Sequence, residues 1–222
     1  MMLPVWSAKA GAGCTTVSLA LAGRMAKRFG TCLLVDLGGD VPAAIGIEEP
    51  PVGVSDWLAS PTGDREALQR LERSAGVGGL EVIALGDSMA WECERDAALL
   101  DHLRSDRRPV VIDVGHRFGS RSDSLTRLRN AVASEPESVF VVRACYLEFR
   151  RILRHEVRPD AVVFVRENGR SLDRLDVKRL LGTPVTVEID YDPAIARAVD
   201  SGTMLRRTPK LLGHQVEALV NR

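Results

Sequence analysis

Seven short runs rich in aliphatic and β-branched residues punctuate the chain: Leu3–Ser7, Thr31–Asp36, Leu80–Leu85, Pro109–Asp113, Ser138–Arg143, Asp160–Val165 and Pro184–Ile189. Each has the length of a strand. None alternates cleanly between polar and apolar positions, which is the pattern of strands covered on both faces. Between them lie helical candidates at Thr15–Phe29, Arg65–Ser74, Glu92–Arg104, Ser122–Ala133, Leu147–His155, Leu172–Leu181 and Pro193–Ser201. Strand–helix alternation of this kind predicts an α/β fold with a mainly parallel, twisted sheet of about seven strands and helices on both faces. The Gly38–Gly63 stretch, with Pro42, Pro50, Pro51 and Pro61, reads as loops around short helices. Pro209–Val220 reads as a closing helix with proline at its first position. With 45% hydrophobic residues, residues 1–222 are expected to form a single domain.

The first apolar run leads into Ser7-Ala8-Lys9-Ala10-Gly11-Ala12-Gly13-Cys14-Thr15-Thr16 and then into a helical stretch from Val17. Small residues between a strand and a helix let backbone N–H groups converge on a phosphate, and the helix dipole adds favourable potential. In the phosphate loop G-x-x-x-x-G-K-[ST] a lysine reaches the β- and γ-phosphates and a hydroxyl reaches Mg²⁺. Here Gly13 and Thr15 are in place, Ala8 stands at the first glycine, and Cys14 occupies the lysine position.

The run Lys9 to Thr16 resembles the deviant loop K-G-G-x-G-K-[ST]-[ST] of the ParA/MinD superfamily of P-loop ATPases. The resemblance implies that Lys9 is the signature lysine, which reaches the phosphates across a dimer interface, and that the second lysine is lost at Cys14. Only four of the thirty basic residues are lysines, so a lysine in that slot carries weight. Val35-Asp36 is similar to the family's V-D-x-D segment, with Asp36 as the first acid and Gly38 where the water-positioning acid belongs. Val110–Gly115 resembles the Walker B strand, with Asp113 contacting Mg²⁺ through water. Leu181–Val185, Glu188–Pro193 and Ala196–Gly202 resemble the family's LG-x-PV, IPYDP and A-x-x-G run, most closely in MinD-like proteins of the CpaE/TadZ and septum-site-determining types. By that resemblance Asp190, Tyr191 and Asp192 border an adenine. The residues carried over are thus Lys9 and Asp36 for catalysis, Lys9 through Thr16 with Asp190–Asp192 for ATP or ADP, and Thr15, Asp36 and Asp113 for Mg²⁺.

Two functional readings follow from the resemblance. In one, the chain is a degenerate pseudo-ATPase that dimerises through the face bearing Lys9 and Asp36 and positions a polar or septal machine, such as a Tad-type pilus or the division site. In the other it is an active Mg-ATPase switch, with another basic residue acting for Cys14. A DNA-binding partitioning protein is a third class, and Arg117, Arg121, Arg127, Arg129, Arg143, Arg150, Arg151 and Arg154 are its candidate patch. Thirty basic and thirty acidic residues leave no net charge to drive binding to nucleic acid, and Glu148 and Glu156 interrupt the patch, so the expectation is against DNA. No apolar run reaches the roughly 18 residues of a bilayer span. Nor does a basic amphipathic tail precede Arg222, so the expectation is a cytoplasmic protein without stable membrane insertion, recruited to a pole or septum by protein partners. Cys14, Cys32, Cys93 and Cys145 form no C-x-x-C pair and are read as free thiols. For Cys14 a thiol activated by the helix N-terminus stands beside the plainer reading of a small neutral filler.

Overall fold

A computed structural model describes residues 1–118, 123–143, 145–155 and 158–221. Arg121, Ser122, Glu156 and Arg222 lie outside the described residues. The apolar runs become β1 (Met2–Ser7), β2 (Cys32–Asp36), β4 (Leu80–Ile83), β5 (Val110–His116), β6 (Val139–Arg143), β7 (Ala161–Arg166) and β8 (Val187–Asp190). A two-residue strand, β3 (Arg73–Ser74), is added to the expected seven. The sheet order is β3-β4-β2-β5-β1-β6-β7-β8, all parallel except β3 on β4. β1 is therefore flanked by β5 on one side and β6 on the other, where the order of connection reverses. In open α/β sheets the carboxyl end of a strand at such a point opens a crevice.

Both faces of the sheet are apolar, which explains the missing alternation in sequence. Leu3, Val5, Leu34, Val111, Val141 and Val163 point to one layer. That layer contains α1 (Cys14–Phe29), α2 (Val41–Ile45), α9 (Pro193–Asp200), α10 (Met204–Leu211) and α11 (Glu217–Val220). Trp6, Leu33, Val35, Ile112, Phe140, Val162 and Phe164 point to the other. Its helices are α3 (Val54–Ala59), α4 (Arg65–Gln69), α5 (Cys93–Arg104), α6 (Ser124–Ala133), α7 (Tyr146–His155) and α8 (Arg174–Leu181). Trp6, Trp57 and Trp91 are all buried. Asp64, Asp123, Asp173 and Asp192 each accept a backbone N–H at the start of α4, α6, α8 and α9, the stabilising role of short polar side chains at helix N-termini.

Two segments depart from expectation. The helix predicted for Arg65–Ser74 stops at Gln69, because Glu72 is held by both arms of Arg108 at 2.7 Å and Arg73–Ser74 pair with the edge of β4. The predicted closing helix is two helices. Pro209 sits inside α10 rather than at a first position, and α11 begins only at Glu217. The α10 helix starts five residues earlier, at Met204, because Met204 and Leu205 are buried against the α1 layer and Thr208 bonds back to the Met204 carbonyl at 2.8 Å. Among the described residues no helix is long and apolar enough to cross a membrane.

The ends of α2 and α9 are pressed together through two glycines with left-handed backbone. A Cβ on Gly202 (φ 62°) would lie 2.7 Å from Gly46 Cα, and one on Gly46 (φ 72°) would lie 2.7 Å from the Gly202 carbonyl oxygen. Gly76 (φ 73°) faces open space. Gly76→Ala should therefore cost only the left-handed backbone penalty, about 1 kcal/mol. Gly202→Ala should cost about 2 kcal/mol or more, because the backbones must also part. Urea unfolding of the two variants against the parent tests the difference.

Candidate functional site

The loop from Ser7 to Gly13 leaves β1 at the switch point and turns into α1 through Gly13, at φ 106°. A cleft of about 700 Å³ opens there. Its floor is the loop and the first turn of α1, from Ala10 to Thr16. Its far end is formed by Asp190, Tyr191 and Asp192 after β8. The structure thus brings together the two sequence segments, 180 residues apart, that were singled out. The wall between them was not anticipated: Val165, Ile189, Ile195, Val199 and Leu212 line it, with His116 and Arg143 at the ends of β5 and β6. Parallel-sheet topology was the available signal, since residues at the carboxyl ends of strands beside β1 must face this crevice.

The cationic residue expected at the start of α1 is replaced by a neutral, inward-facing group. Cys14 is buried and its thiol donates to the Gly115 carbonyl at 3.2 Å. A register shift between Val5 and Trp6 in the β1–β5 ladder, with Gly115 at φ 66°, marks the bulge whose carbonyl also receives the Ser7 hydroxyl at 3.2 Å. Burial, and then the Asp113 charge, push the thiol well above its ordinary value. Both effects favour the neutral thiol, in keeping with the small neutral filler.

Lys9 does not line the cleft. It is partly exposed and its ammonium donates to the Ala10 carbonyl at 3.0 Å. Behind it, α7 braces the loop: Arg151 donates to the Ala8 carbonyl at 3.2 Å. Buried Glu148 accepts from the Arg143 N–H at 3.0 Å. Burial raises the Glu148 carboxyl to about 8.

Asp36 and Asp113 are neighbours across the β2–β5 ladder, and neither has any exposed surface. Asp36 is turned into its own loop, accepting N–H bonds from Gly38 (2.8 Å), Gly39 (2.7 Å) and Val41 (3.0 Å). It therefore cannot form part of an exposed dimer face, which corrects the expectation of a surface bearing Lys9 and Asp36. Asp113 Oδ1 accepts from Gly115 N at 3.1 Å, while Oδ2 has no partner. The hydroxyls of Thr15 and Ser18 lie alongside, and Ser18 Oγ is likewise unpartnered. Burial raises both carboxyls; the Asp113 charge raises Asp36 further, and the Asp40 charge raises Asp113. At Gly38, where the resemblance expects an acid, a Cβ would lie 3.3 Å from Asp113 Oδ2 and 3.4 Å from Asp36 Oδ1.

The candidate arginines are divided among separate environments, and Arg121 lies outside the described residues. Arg129 is buried with its guanidinium on the Leu37 carbonyl. Arg127 is held by Asp96 at 2.7 Å. Arg143 faces the cleft, paired with Glu167 at 2.9 Å and lying 5.0 Å from the centre of the Tyr191 ring. Of the charged residues lining the cleft, Arg143 is opposed by Asp40, Asp190, Asp192 and Asp200, and burial keeps His116 below its ordinary value.

Carboxyls that hold their protons more tightly when folded than when unfolded stabilise the fold at low pH, and the contribution is lost as pH rises towards the folded-state values. Asp36, Asp113 and Glu148 all shift upward. Stability should therefore fall between about pH 4, the ordinary carboxylate value, and about 8, the Glu148 value, then level off. Asp113→Asn should remove up to about 1.4 kcal/mol per pH unit from that slope, read from urea unfolding across the range.

No protein-family model and no curated protein sequence matches the chain. Solved structures do match over nearly its whole length. The cell division ATPase MinD of Pyrococcus furiosus superposes with a TM-score of 0.75 at 19% identity, covering 99% of this chain and 96% of that one. A ParA family ATPase from Chlorobium tepidum gives a TM-score of 0.75 at 18% identity, covering 97% and 95%. MinD in the MinC:MinD cell division complex of Aquifex aeolicus gives 0.77 at 16% identity, covering 100% and 94%.

Proposed function

We propose that this chain, whose fold is that of the MinD and ParA ATPases, is a spatial regulator with a degenerate nucleotide site. In this reading it is a pseudo-ATPase that acts in the cytoplasm, dimerises, and positions a polar or septal machine such as a Tad-type pilus or the division site. MinD being solved in complex with MinC supports a protein partner as the output. The observation that carries the reading is Cys14, a buried neutral group bonded to a backbone carbonyl at the place of the phosphate-binding lysine. A lysine about 4 Å from a phosphate charge contributes roughly 4 kcal/mol at an effective dielectric near 20. Among the described residues lining the cleft the one arginine, Arg143, is engaged by Glu167, and Asp40, Asp192, Asp200 and the Arg166-paired Asp190 line the same space. Glycine at position 38 leaves no side chain to orient an attacking water, and phosphoryl transfer depends on such positioning.

One observation favours the active switch instead. The unpartnered Asp113 Oδ2 beside the Thr15 hydroxyl is an oxygen set that suits Mg²⁺, which binds through one or two carboxylates plus substrate phosphates. Thr15 and Asp113 would hold the ion and the backbone of Gly11 to Thr15 would cradle the phosphates. The Mg²⁺ would neutralise charge on those phosphates.

Titration of a fluorescent ATP analogue with Mg²⁺, with molar mass read by light scattering, decides between the two. The pseudo-ATPase reading expects weak binding by the parent and a tightening of up to about a thousandfold in Cys14→Lys, since each 1.4 kcal/mol is tenfold. Micromolar binding by the parent, with phosphate release abolished by Thr15→Ala, would establish the active switch. A chain that stays monomeric in every condition would remove dimerisation from the proposal.

A further inference from the structure

A second cleft, of about 450 Å³, lies between the end of β5, α6 and α7, lined by Arg117, Phe118, Thr126, Asn130, Arg151, Arg154 and His155. Its size is within the range of small-ligand sites. Among the described residues no acidic one lines it. Arg117 is half-buried and fixed from several sides. Its Nε donates to Asn130 Oδ1 at 2.8 Å and its Nη2 to Ser134 Oγ at 3.3 Å. Its guanidinium lies 5.0 Å from the centre of the Trp6 ring. Burial lowers its pKa with no carboxylate opposing the shift. Arg151 spends one donor on the Ala8 carbonyl, and Arg154 is exposed on the same helix one turn on. Among the described residues neither of these two, nor Arg117, has a carboxylate within ion-pair distance. Phe118 and His155 close one side as a stacked pair, with ring centres 3.8 Å apart.

A preoriented, partly desolvated guanidinium without a counter-ion is costly to hold unless an anion completes it. Guanidinium forks match the oxygens of a phosphate bidentately. Three arginines in one cleft match the two to three charges of a phosphate monoester or a diphosphate.

We propose that this cleft binds the phosphate or diphosphate group of a small ligand, at a site separate from the P-loop. The site does not depend on whether the P-loop cleft binds nucleotide. Among the described residues it meets that cleft through Arg151, which holds the Ala8 carbonyl, and through the Arg117 backbone N–H, which donates to the Ser7 carbonyl at 2.9 Å.

The test is isothermal titration of the full chain with inorganic pyrophosphate in the absence of Mg²⁺. The expected result is binding by the parent that weakens by about tenfold or more in Arg154→Gln, the effect of a lost charge-assisted hydrogen bond, and is unchanged in Thr15→Ala. Thermal unfolding should show the same transition for Arg154→Gln and parent, since Arg154 is exposed. No heat at millimolar pyrophosphate, equal affinity in Arg154→Gln, or loss of binding in Thr15→Ala would each overturn the proposal. Arg154-dependent sedimentation with phosphatidylglycerol vesicles would overturn the assignment to a small ligand and make the phosphate a lipid's.

Discussion

The Asp36 carboxylate organises the centre of the molecule. It ends β2 beside Asp113 on β5 and gathers three backbone N–H groups of the following turn. A carboxylate without exposed surface is tolerated because those donors replace its water. They fix the path of residues 38–41, start α2, and so place Asp40, Ala43 and Ala44 on the wall of the cleft. The same turn leaves Gly38 against both carboxyls. A third acid there would add a like charge to a pair whose ionisation is already opposed.

The charges of the chain sum to zero, yet the surface is divided. The cleft at the end of β1 carries aspartates against one engaged arginine. The neighbouring cleft behind α7 carries arginines and, among the described residues, no acid. Arg151 and Arg117 connect the two, because both line one cleft while the Arg151 guanidinium bonds the Ala8 carbonyl and the Arg117 backbone N–H bonds the Ser7 carbonyl at the start of the loop that floors the other. A fold shared with the MinD and ParA ATPases is thus combined with an uneven distribution of charge between two neighbouring clefts.

Much of this was legible in the residues. Apolar runs without alternation specified covered strands, and Ser7–Thr16 between such a run and a helix specified the loop at the crevice. The replacements at Cys14 and Gly38 were visible by position. Lys9 was legible as a rare lysine in a notable slot, but its side chain turns to the Ala10 carbonyl outside the cleft. The edge strand at Arg73–Ser74 was illegible because a long-range ion pair between Glu72 and Arg108 ends the helix before it. The break between α10 and α11 was hidden because burial of Met204 and Leu205 against α1 outweighs the local signal of Pro209.

Sequence by itself determined the element types, their order, and hence the parallel sheet and the loop at its switch point, since these follow from local periodicity and the handedness of crossovers. Only the tertiary structure decided which charges face one another. Asp40, Arg143, Asp190 and Asp200 meet around one space, and Arg117, Arg151 and Arg154 around another. The physical reason is that parallel crossovers bring the carboxyl ends of distant strands together, while the rotation of each helix about its axis, set by packing, chooses which side chains enter the space.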